Sequence, residues 1–462
     1  LAIGHITPVS IADGVTLSGG VEVSAGSLKL TETGTLATTV AMSGGTLDAD
    51  ETATVSGALS HSANITIDVA ANKTLTYSGT AIGVGANTVT LTGGGTFTSG
   101  GITLDNANSK LLLNSITLDG TTTSSDSLGI DVDANSTVTT LAIGHITPVS
   151  IADGVSLSGA ITVSAGSLKL TETGTLASAL TMTGGTLDAD ETATLSGALT
   201  QSGNITIDVL TDKTLTYSGV ALNLGANTLT LRGGGTLSNT NALVLNNADS
   251  LLTLSGITTL GDIEGTTLSN AGKGVSVTSS ATMGDYDLSA LSYLSIGGAG
   301  VTLAGQLNLN PGGEMITSGA GKYTGDIELA GGTFNAADSL TLDGTVSITA
   351  DSEIEVIDTL TLSQAGGLPF GANTLTLSGG GSLSSEVMTL DNANSKLLLN
   401  GITLNKAVTT ANSLGIDVDA NSTVTSLDVG HITPVSIADG VTLSGGVEVS
   451  AGSLKLTETG TL

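Results

Sequence analysis

Closely spaced acidic and amide side chains are the residues of this chain whose types and spacing best suit a chemical task. They form the pattern Asp-x-Asp-x-Asn in two places: Asp131, Asp133 and Asn135, and Asp417, Asp419 and Asn421. Calcium takes six to eight oxygen ligands, and neighbouring carboxylates supply several of them. Both places are therefore candidates for weak calcium binding at the surface, although the glycine and the distal glutamate of an EF-hand loop are missing.

The alternation of residues offers a second interpretation of the same acids. Successive side chains of a strand point to opposite faces. Ile130 and Val132 are then expected inside, with Asp131 and Asp133 in water. On this interpretation the carboxylates are solvated surface groups that hold no ion. Both interpretations stay open, and the sequence predicts no cofactor other than calcium.

The histidines do not form a catalytic pattern. His5, His145 and His431 occupy one position of a repeated Gly-His-Ile-Thr-Pro motif. A catalytic centre needs a unique constellation of groups, so a residue that returns with the repeat is expected to be structural, here at a turn before proline. His61 is replaced by Gln201 in the next repeat, which predicts an unconstrained surface position. No nucleophile elbow or Ser-His-Asp order is visible, and we predict that the chain is not an enzyme.

The composition excludes several classes of protein. The 462 residues carry a formal net charge of −30, with 41 Asp and Glu against 11 Lys and Arg. Nucleic-acid binding needs basic patches, so nucleic-acid partners are excluded. The chain is 39% hydrophobic, unlike disordered chains. No stretch approaches the roughly 20 apolar residues of a membrane-spanning helix, and we expect no membrane insertion of this segment.

A nested repeat organises the chain. The segment from Gly4 to Leu36 returns letter for letter from Gly430 to Leu462, and a near copy runs from Gly144 to Leu176. The predicted units are residues 1–140, 141–282, 283–426, which has diverged most, and 427–462, which opens the next unit. Repeats of fixed period are typical of quasi-one-dimensional architectures. We therefore expect one continuous rod that is a window of a longer chain.

A shorter periodic pattern within each unit predicts the fold. Segments such as Thr88–Thr92 alternate apolar residues with Thr or Ser, the pattern of a strand with one buried face. Glycines punctuate these segments, and glycine reaches the positive φ that tight corners need. The pattern predicts an all-β, right-handed parallel β-solenoid with almost no helix and coils of roughly 20 residues. A string of antiparallel sandwich domains is the alternative.

The repeated sequence pattern of a short strand followed by glycines resembles that of a group of bacterial surface proteins. The motif GANTLTLSGGGSL spans Gly371 to Leu383, and related motifs begin at Gly85 and Gly225. It is similar to autotransporter-associated β-strand repeats and to filamentous-haemagglutinin-like adhesins. The resemblance implies an extracellular or cell-surface β-solenoid, and it brings no catalytic residue to this chain.

Two functions are compatible with these patterns. The first is a structural extracellular protein that forms a long fibre, sheath or surface filament, with other copies of itself as partners. The alternative is an adhesin passenger or stalk that binds glycans or surfaces through a repeated face. Rows of threonine, such as Thr88, Thr90 and Thr92, suit such a face. Thr-x-Thr in the same phase on successive coils would favour the alternative.

Overall fold

Alternating apolar and hydroxyl-bearing residues make this chain β in structure. The computed structural model describes residues 1–259, 261–265, 273–365, 367–369 and 371–462, apart from the side chain of residue 8. Strands account for 59% of the residues, and no helix is present in the described ranges. No helix in these ranges is therefore long and apolar enough to cross a membrane. The predicted all-β class is confirmed.

The chain divides into two compact units, each of which is a parallel β-solenoid. Unit 1 comprises Leu1–Val220 with Gly235–Thr240, and unit 2 comprises Ala221–Gly234 with Asn241–Leu462. The described strands form about 22 turns in total. Each complete turn contributes strands to three faces, and strands of successive turns pair in parallel. This arrangement confirms the predicted parallel solenoid and excludes antiparallel sandwich domains.

The strands of unit 1 fall on three faces, which we number in chain order from the strand at Thr7. Face 1 holds Thr7–Val9, Ser27–Leu30, Thr46–Ala49, Ile65–Val69, Thr88–Thr92, Lys110–Asn114, Gly129–Ala134, Ile146–Ile151, Ser167–Leu170, Thr186–Ala189 and Ile205–Val209. Face 2 holds Thr16–Leu17, Thr35–Leu36, Ala53–Val55, Thr74–Tyr77, Thr96–Thr98, Thr175–Leu176, Ala193–Leu195, Thr214–Tyr217 and Thr236–Asn239. Face 3 holds Ala2–Ile3, Val21–Val23, Val40–Met42, Leu59–His61, Ile82–Gly83, Ile102–Asp105, Ala179–Met182 and Leu199–Gln201. Three long strands cover faces 2 and 3 together: Thr117–Asp126, Ser136–Ile143 and Ser156–Val163.

Unit 2 repeats the three-sided plan. Its face 1 holds Thr228–Arg232, Leu251–Ser255, Gly274–Ser279, Leu291–Ile296, Glu314–Ser318, Thr333–Ala336, Ser352–Val356, Thr374–Ser378, Lys396–Asn400, Gly415–Ala420, Ile432–Ile437 and Ser453–Leu456. Its face 2 holds Thr258–Thr259, Ala281–Thr282, Thr302–Ala304, Lys322–Tyr323, Leu340–Leu342, Thr359–Leu362 and Ser382–Ser384. Its face 3 holds Leu222–Asn223, Leu243–Leu245, Ile263–Gly265, Tyr286–Leu288, Leu307–Leu309, Ile327–Leu329, Val346–Ile348 and Met388–Asp391. The long strands are Thr403–Asn412, Ser422–Val429 and Leu443–Val449.

The core of each unit is a set of apolar columns that run from coil to coil. On face 1 of unit 1, Leu28 lies opposite Leu47, Leu47 opposite Ile67, and Ile67 opposite Leu91. All four side chains are at most 1% exposed. Parallel strands lie about 4.8 Å apart, so each coil adds one apolar layer to the column and one row of backbone hydrogen bonds to each face.

One motif seen in two settings shows how much burial a neighbouring coil provides. Leu170 and Leu456 occupy the same position of the Ser-Leu-Lys-Leu motif. Leu170 has strands paired on both sides and is 2% exposed. Leu456 has one paired strand and is 53% exposed. Fully burying a leucine stabilises a fold by about 1.5–3 kcal/mol, so coil stacking is a main source of stability here.

Two of the three predicted boundaries between repeat units fall inside strands, whereas the second, after residue 282, coincides with the end of the strand Ala281–Thr282. The strand Ser136–Ile143 runs across the first predicted boundary, between residues 140 and 141. The long repeats therefore mark where the sequence pattern restarts along the series of coils.

Candidate functional site

The first Asp-x-Asp-x-Asn motif lies on the face-1 strand Gly129–Ala134 of unit 1. Ile130 and Val132 are 1% and 0% exposed, so the predicted alternation is confirmed. Asp131 points outward, and its carboxylate lies 2.5 Å from Nζ of Lys110 on the preceding coil. The second motif repeats the arrangement with Ile416, Val418, Asp417 and Lys396.

The other two side chains of the motif have different surroundings. Asp133 is exposed. Oδ1 of Asn135 accepts a hydrogen bond from the backbone N–H of Ser156 at 2.8 Å, and Oδ1 of Asn421 accepts one from Thr442 at 2.8 Å. These asparagines cap backbone donors at a corner of the next coil. Within the described ranges, no three His, Cys, Asp or Glu side chains form a group that could hold a metal ion. Calcium binding stays a prediction.

Lysines link neighbouring coils across the surface. Their partners lie about one coil away in the sequence, so the pairing becomes recognisable once the coil length is known. The pairs are Lys29 with Asp48 and Asp50, Lys73 with Glu51, Lys110 with Asp131, Lys169 with Asp188 and Asp190, Lys213 with Glu191, Lys322 with Asp343, and Lys396 with Asp417. Single surface ion pairs add little stability, but a pair placed between two coils favours one register of stacking.

Carboxylates that are stacked without a lysine between them have altered acidity. Asp68 lies opposite Asp48 on the adjacent coil. Partial burial, followed by the negative charge of Asp48, raises the pKa of Asp68. Lys29 donates hydrogen bonds to Asp50 and Asp48, and these bonds, first the one to Asp50 and then the one to Asp48, raise the pKa of its ammonium group. The neighbouring carboxylates thus favour the charged form of Lys29 and disfavour the charged form of Asp68.

The repeated histidines lie at a corner of the coil. His5, His145 and His431 are exposed. A Cβ added to Gly26, in the coil after His5, would lie 2.3 Å from the backbone of His5. The corresponding glycines after His145 and His431 are equally tight, at 2.4 Å. This position serves the close approach of two coils.

The prediction that His61 occupies an unconstrained surface position is wrong. His61 ends a column formed with Ile3, Val23 and Met42, whose side chains are all at most 2% exposed. His61 itself is half-buried, and Gln201, its counterpart in the next repeat, is buried at 9% exposure. The His-to-Gln exchange suggested a free surface, but both side chains can donate hydrogen bonds from a partly buried position.

The ring of His61 connects two coils. Nε2 lies 2.9 Å from the carbonyl oxygen of Gly83, one coil further on, and Nδ1 lies 3.1 Å from that of Ala63. Carbonyl oxygens only accept hydrogen bonds, so a ring N–H of His61 is the donor in each such bond.

Hydroxyl-bearing side chains form straight rows on face 2 of unit 1, which we call the hydroxyl ladders. Each ladder spans five coils in register, and its three central members point outward between buried neighbours. The first ladder is Thr16, Thr35, Thr54, Thr76 and Thr98. The second is Ser156, Thr175, Thr194, Thr216 and Ser238. No member is charged, so the ladders are neutral strips on a strongly acidic chain.

Most of the first ladder faces solvent without a protein partner. Thr98 donates to Oδ2 of Asp119 at 3.3 Å. The hydroxyls of Thr35, Thr54 and Thr76 have no hydrogen-bond partner among the described residues. The sequence showed Thr-x-Thr segments, but their alignment over five coils depends on coil lengths that the sequence alone did not define.

Comparison with known proteins does not assign the chain to a family. No family model, no curated protein and no solved structure matches it. The function is therefore inferred from the coils themselves.

Proposed function

We propose that this chain is a structural β-solenoid segment of an extracellular fibre, sheath or surface filament, assembled with other copies of itself. The observation that carries the proposal is the in-register stacking of like residues, in which each coil buries the apolar layer of the one before it. This role is mechanical and additive, and it needs no catalytic centre. The acidic surface supports it, because a large net charge keeps long molecules soluble.

The place of the chain on the cell tests this proposal. An antibody raised against the purified chain would be applied to intact cells that produce it, and gold-labelled antibody would be located by electron microscopy. We expect label along extended surface structures before the cells are opened. Label that appears only after the cells are opened would contradict the proposal.

The hydroxyl ladders support a second candidate, an adhesin that binds glycans or another regular surface. A ladder repeats its groups about every 4.8 Å along the solenoid axis, and its neutrality avoids repulsion from an uncharged partner. A matching partner has a regular array of polar groups, as an insoluble polysaccharide does.

Co-sedimentation with insoluble polysaccharide tests the second candidate. Thr35→Lys, Thr54→Lys and Thr76→Lys would be combined to interrupt the first ladder. The control combines Thr162→Lys, Thr181→Lys and Thr200→Lys, a threonine column on face 3. The adhesin candidate predicts that the parent and the control sediment with the polysaccharide to the same extent and that the variant, which keeps only the second ladder, sediments less. Equal behaviour of all three proteins would reject it.

A further inference from the structure

On face 3 of unit 1, backbone amides in one column donate hydrogen bonds to the next coil. The type of acceptor changes where the sheet ends. The backbone N–H of Val40 donates to the carbonyl oxygen of Ala58, one coil further on, at 2.8 Å. The next amide in the column, that of Leu59, donates instead to the phenolic oxygen of Tyr77 at 3.1 Å. Leu59–His61 is the last strand of its four-stranded sheet. A side chain therefore takes the place of the backbone acceptor.

The second long repeat contains the same substitution of a side chain for the backbone. The amide of Leu180 donates to the carbonyl oxygen of Ala198 at 2.8 Å. The amide of Leu199 donates to the phenolic oxygen of Tyr217 at 3.2 Å, and that hydroxyl donates to the carbonyl oxygen of Val220 at 2.6 Å. Tyr217 is 3% exposed, so the side chain that forms this bridge is buried.

The third long repeat builds the bridge from a different residue. The amide of Ile327 donates to the carbonyl oxygen of Thr345 at 2.8 Å. The amide of Val346, at the start of the last strand of its seven-stranded sheet, donates to Oε1 of Gln364 at 2.6 Å. Nε2 of Gln364 then donates to the carbonyl oxygen of Gly367 at 2.8 Å. The glutamine amide makes both bonds that the tyrosine hydroxyl makes in the second repeat.

A paired exchange in the sequence explains how glutamine replaces tyrosine. The strand and the two residues after it read Thr-Leu-Thr-Tyr-Ser-Gly in the first two repeats and Thr-Leu-Thr-Leu-Ser-Gln in the third. A Cβ on Gly79 would lie 2.3 Å from the hydroxyl oxygen of Tyr77. A side chain at that position and the tyrosine therefore exclude each other. In the third repeat Leu362 removes the phenol, and Gln364 fills the vacated space with an amide.

We propose that these three bridges are joints of the solenoid, where the stack of coils opens first under load or on warming. The joints are defined by Leu59 with Tyr77, Leu199 with Tyr217, and Val346 with Gln364. Side-chain acceptors also occur elsewhere, as at Asn135, but at these three places the side-chain acceptor coincides with the end of a column of paired strands. A backbone acceptor is held by the strand on which it lies, whereas a side-chain acceptor leaves after rotation about its own bonds. The joints recur once in each long repeat, so the chain yields in segments of about one long repeat instead of coil by coil. This inference does not depend on where the chain is located.

Amide hydrogen exchange on the folded, unmodified chain tests the joints directly. Exchange reports local opening. Each joint has a matched amide one coil earlier in the same column, with a backbone acceptor. We expect the joint amides of Leu59, Leu199 and Val346 to exchange roughly tenfold or more faster than the matched amides of Val40, Leu180 and Ile327. Equal rates within the three pairs would overturn the proposal.

The third joint allows a double-mutant cycle. Gln364→Gly removes the bridge, and Leu362→Tyr places a phenol against Gln364, so each single variant should raise the exchange rate of Val346 by roughly tenfold. The double variant Leu362→Tyr/Gln364→Gly recreates the residues of the first two joints and should return the rate to that of Leu59. A double variant whose effect equals the sum of the single effects would show that the two positions do not share a bridge.

Discussion

At the scale of single residues, alternation separates two populations of side chains within each strand. Lys110–Asn114 shows this in five residues. Leu111 and Leu113 are fully buried, whereas Leu112, between them, is half-buried on the outer surface. The residue type is the same at all three positions, so position alone should decide how much each leucine contributes.

Replacing these leucines one at a time tests that division. Leu113→Ala leaves a cavity in a closely packed column and should lower the free energy of unfolding by about 2–5 kcal/mol. Leu112→Ala is the matched control and should cost about 1 kcal/mol or less. Urea unfolding of the two variants gives the comparison. Equal losses would mean that the strand does not have one buried face.

The acidity of Asp68 leads to a prediction about pH. Its pKa is raised in the folded state, first by burial and then by Asp48. The folded state therefore binds this proton more tightly than the unfolded state. Asp68 thus favours folding below its ordinary pKa, and this contribution is lost as pH rises through the raised pKa. Asp68→Asn should be more stable than the parent at neutral pH, and its stability should depend less on pH.

Asp343 provides the opposite case as a control. A hydrogen bond from Lys322 lowers the pKa of Asp343, so its contribution is present above the ordinary carboxyl pKa and is lost as pH falls through the lowered value. Asp343→Asn should therefore lose stability at neutral pH. Urea titrations at several pH values would measure both variants. A loss of stability in Asp68→Asn at neutral pH would contradict the expected effect of the raised pKa.

At the scale of the strand, glycine allows long strands to cover two faces. The strand Ser156–Val163 turns between faces at Gly159, where the register with the preceding strand shifts. Gly159 has φ of 118°, and a Cβ there would lie 1.7 Å from the carbonyl oxygen of Val138. Both the backbone conformation and the lack of space require glycine at this corner.

Alanine substitution tests this requirement. Gly159→Ala should lower the free energy of unfolding by at least about 1 kcal/mol, because the native φ is unfavourable for alanine. Gly20→Ala is the control: a Cβ there meets nothing within 4 Å, and the second copy of the motif already carries Ala160. Calorimetric melting would separate the two. A neutral Gly159→Ala would mean that this corner can relax.

The sequence predicted the elements better than the contacts between them. Alternation and glycine punctuation predicted parallel coils without helix, because both patterns are local. The bridge from Val346 to Gln364 was not predicted, since it joins residues on different coils. Side-chain hydrogen bonds between coils link residues 17 to 25 positions apart. Because this separation varies, the sequence alone does not show which residues of neighbouring coils lie opposite each other. One of the two interpretations placed the carboxylates of Asp131 and Asp133 in water, but the ion pair of Asp131 with Lys110 and the hydrogen bond of Asn135 with the backbone of Ser156 were not predicted.

At the scale of the whole molecule, the same type of coil is used repeatedly along the described residues. Stability grows with each stacked layer, as expected when every repeat contacts mainly its neighbours. Lysine bridges favour one register, and the net charge of −30 keeps the surfaces of separate molecules apart. These properties suit a long load-bearing element, which is the central claim of the proposed function.

Cryo-electron microscopy of native surface filaments from producing cells tests that claim most directly. We predict a spacing of about 4.8 Å along the filament axis, with continuous density for stacked coils of this chain. Separate rods that each end in a distinct globular tip, or filaments without that axial spacing, would contradict the claim.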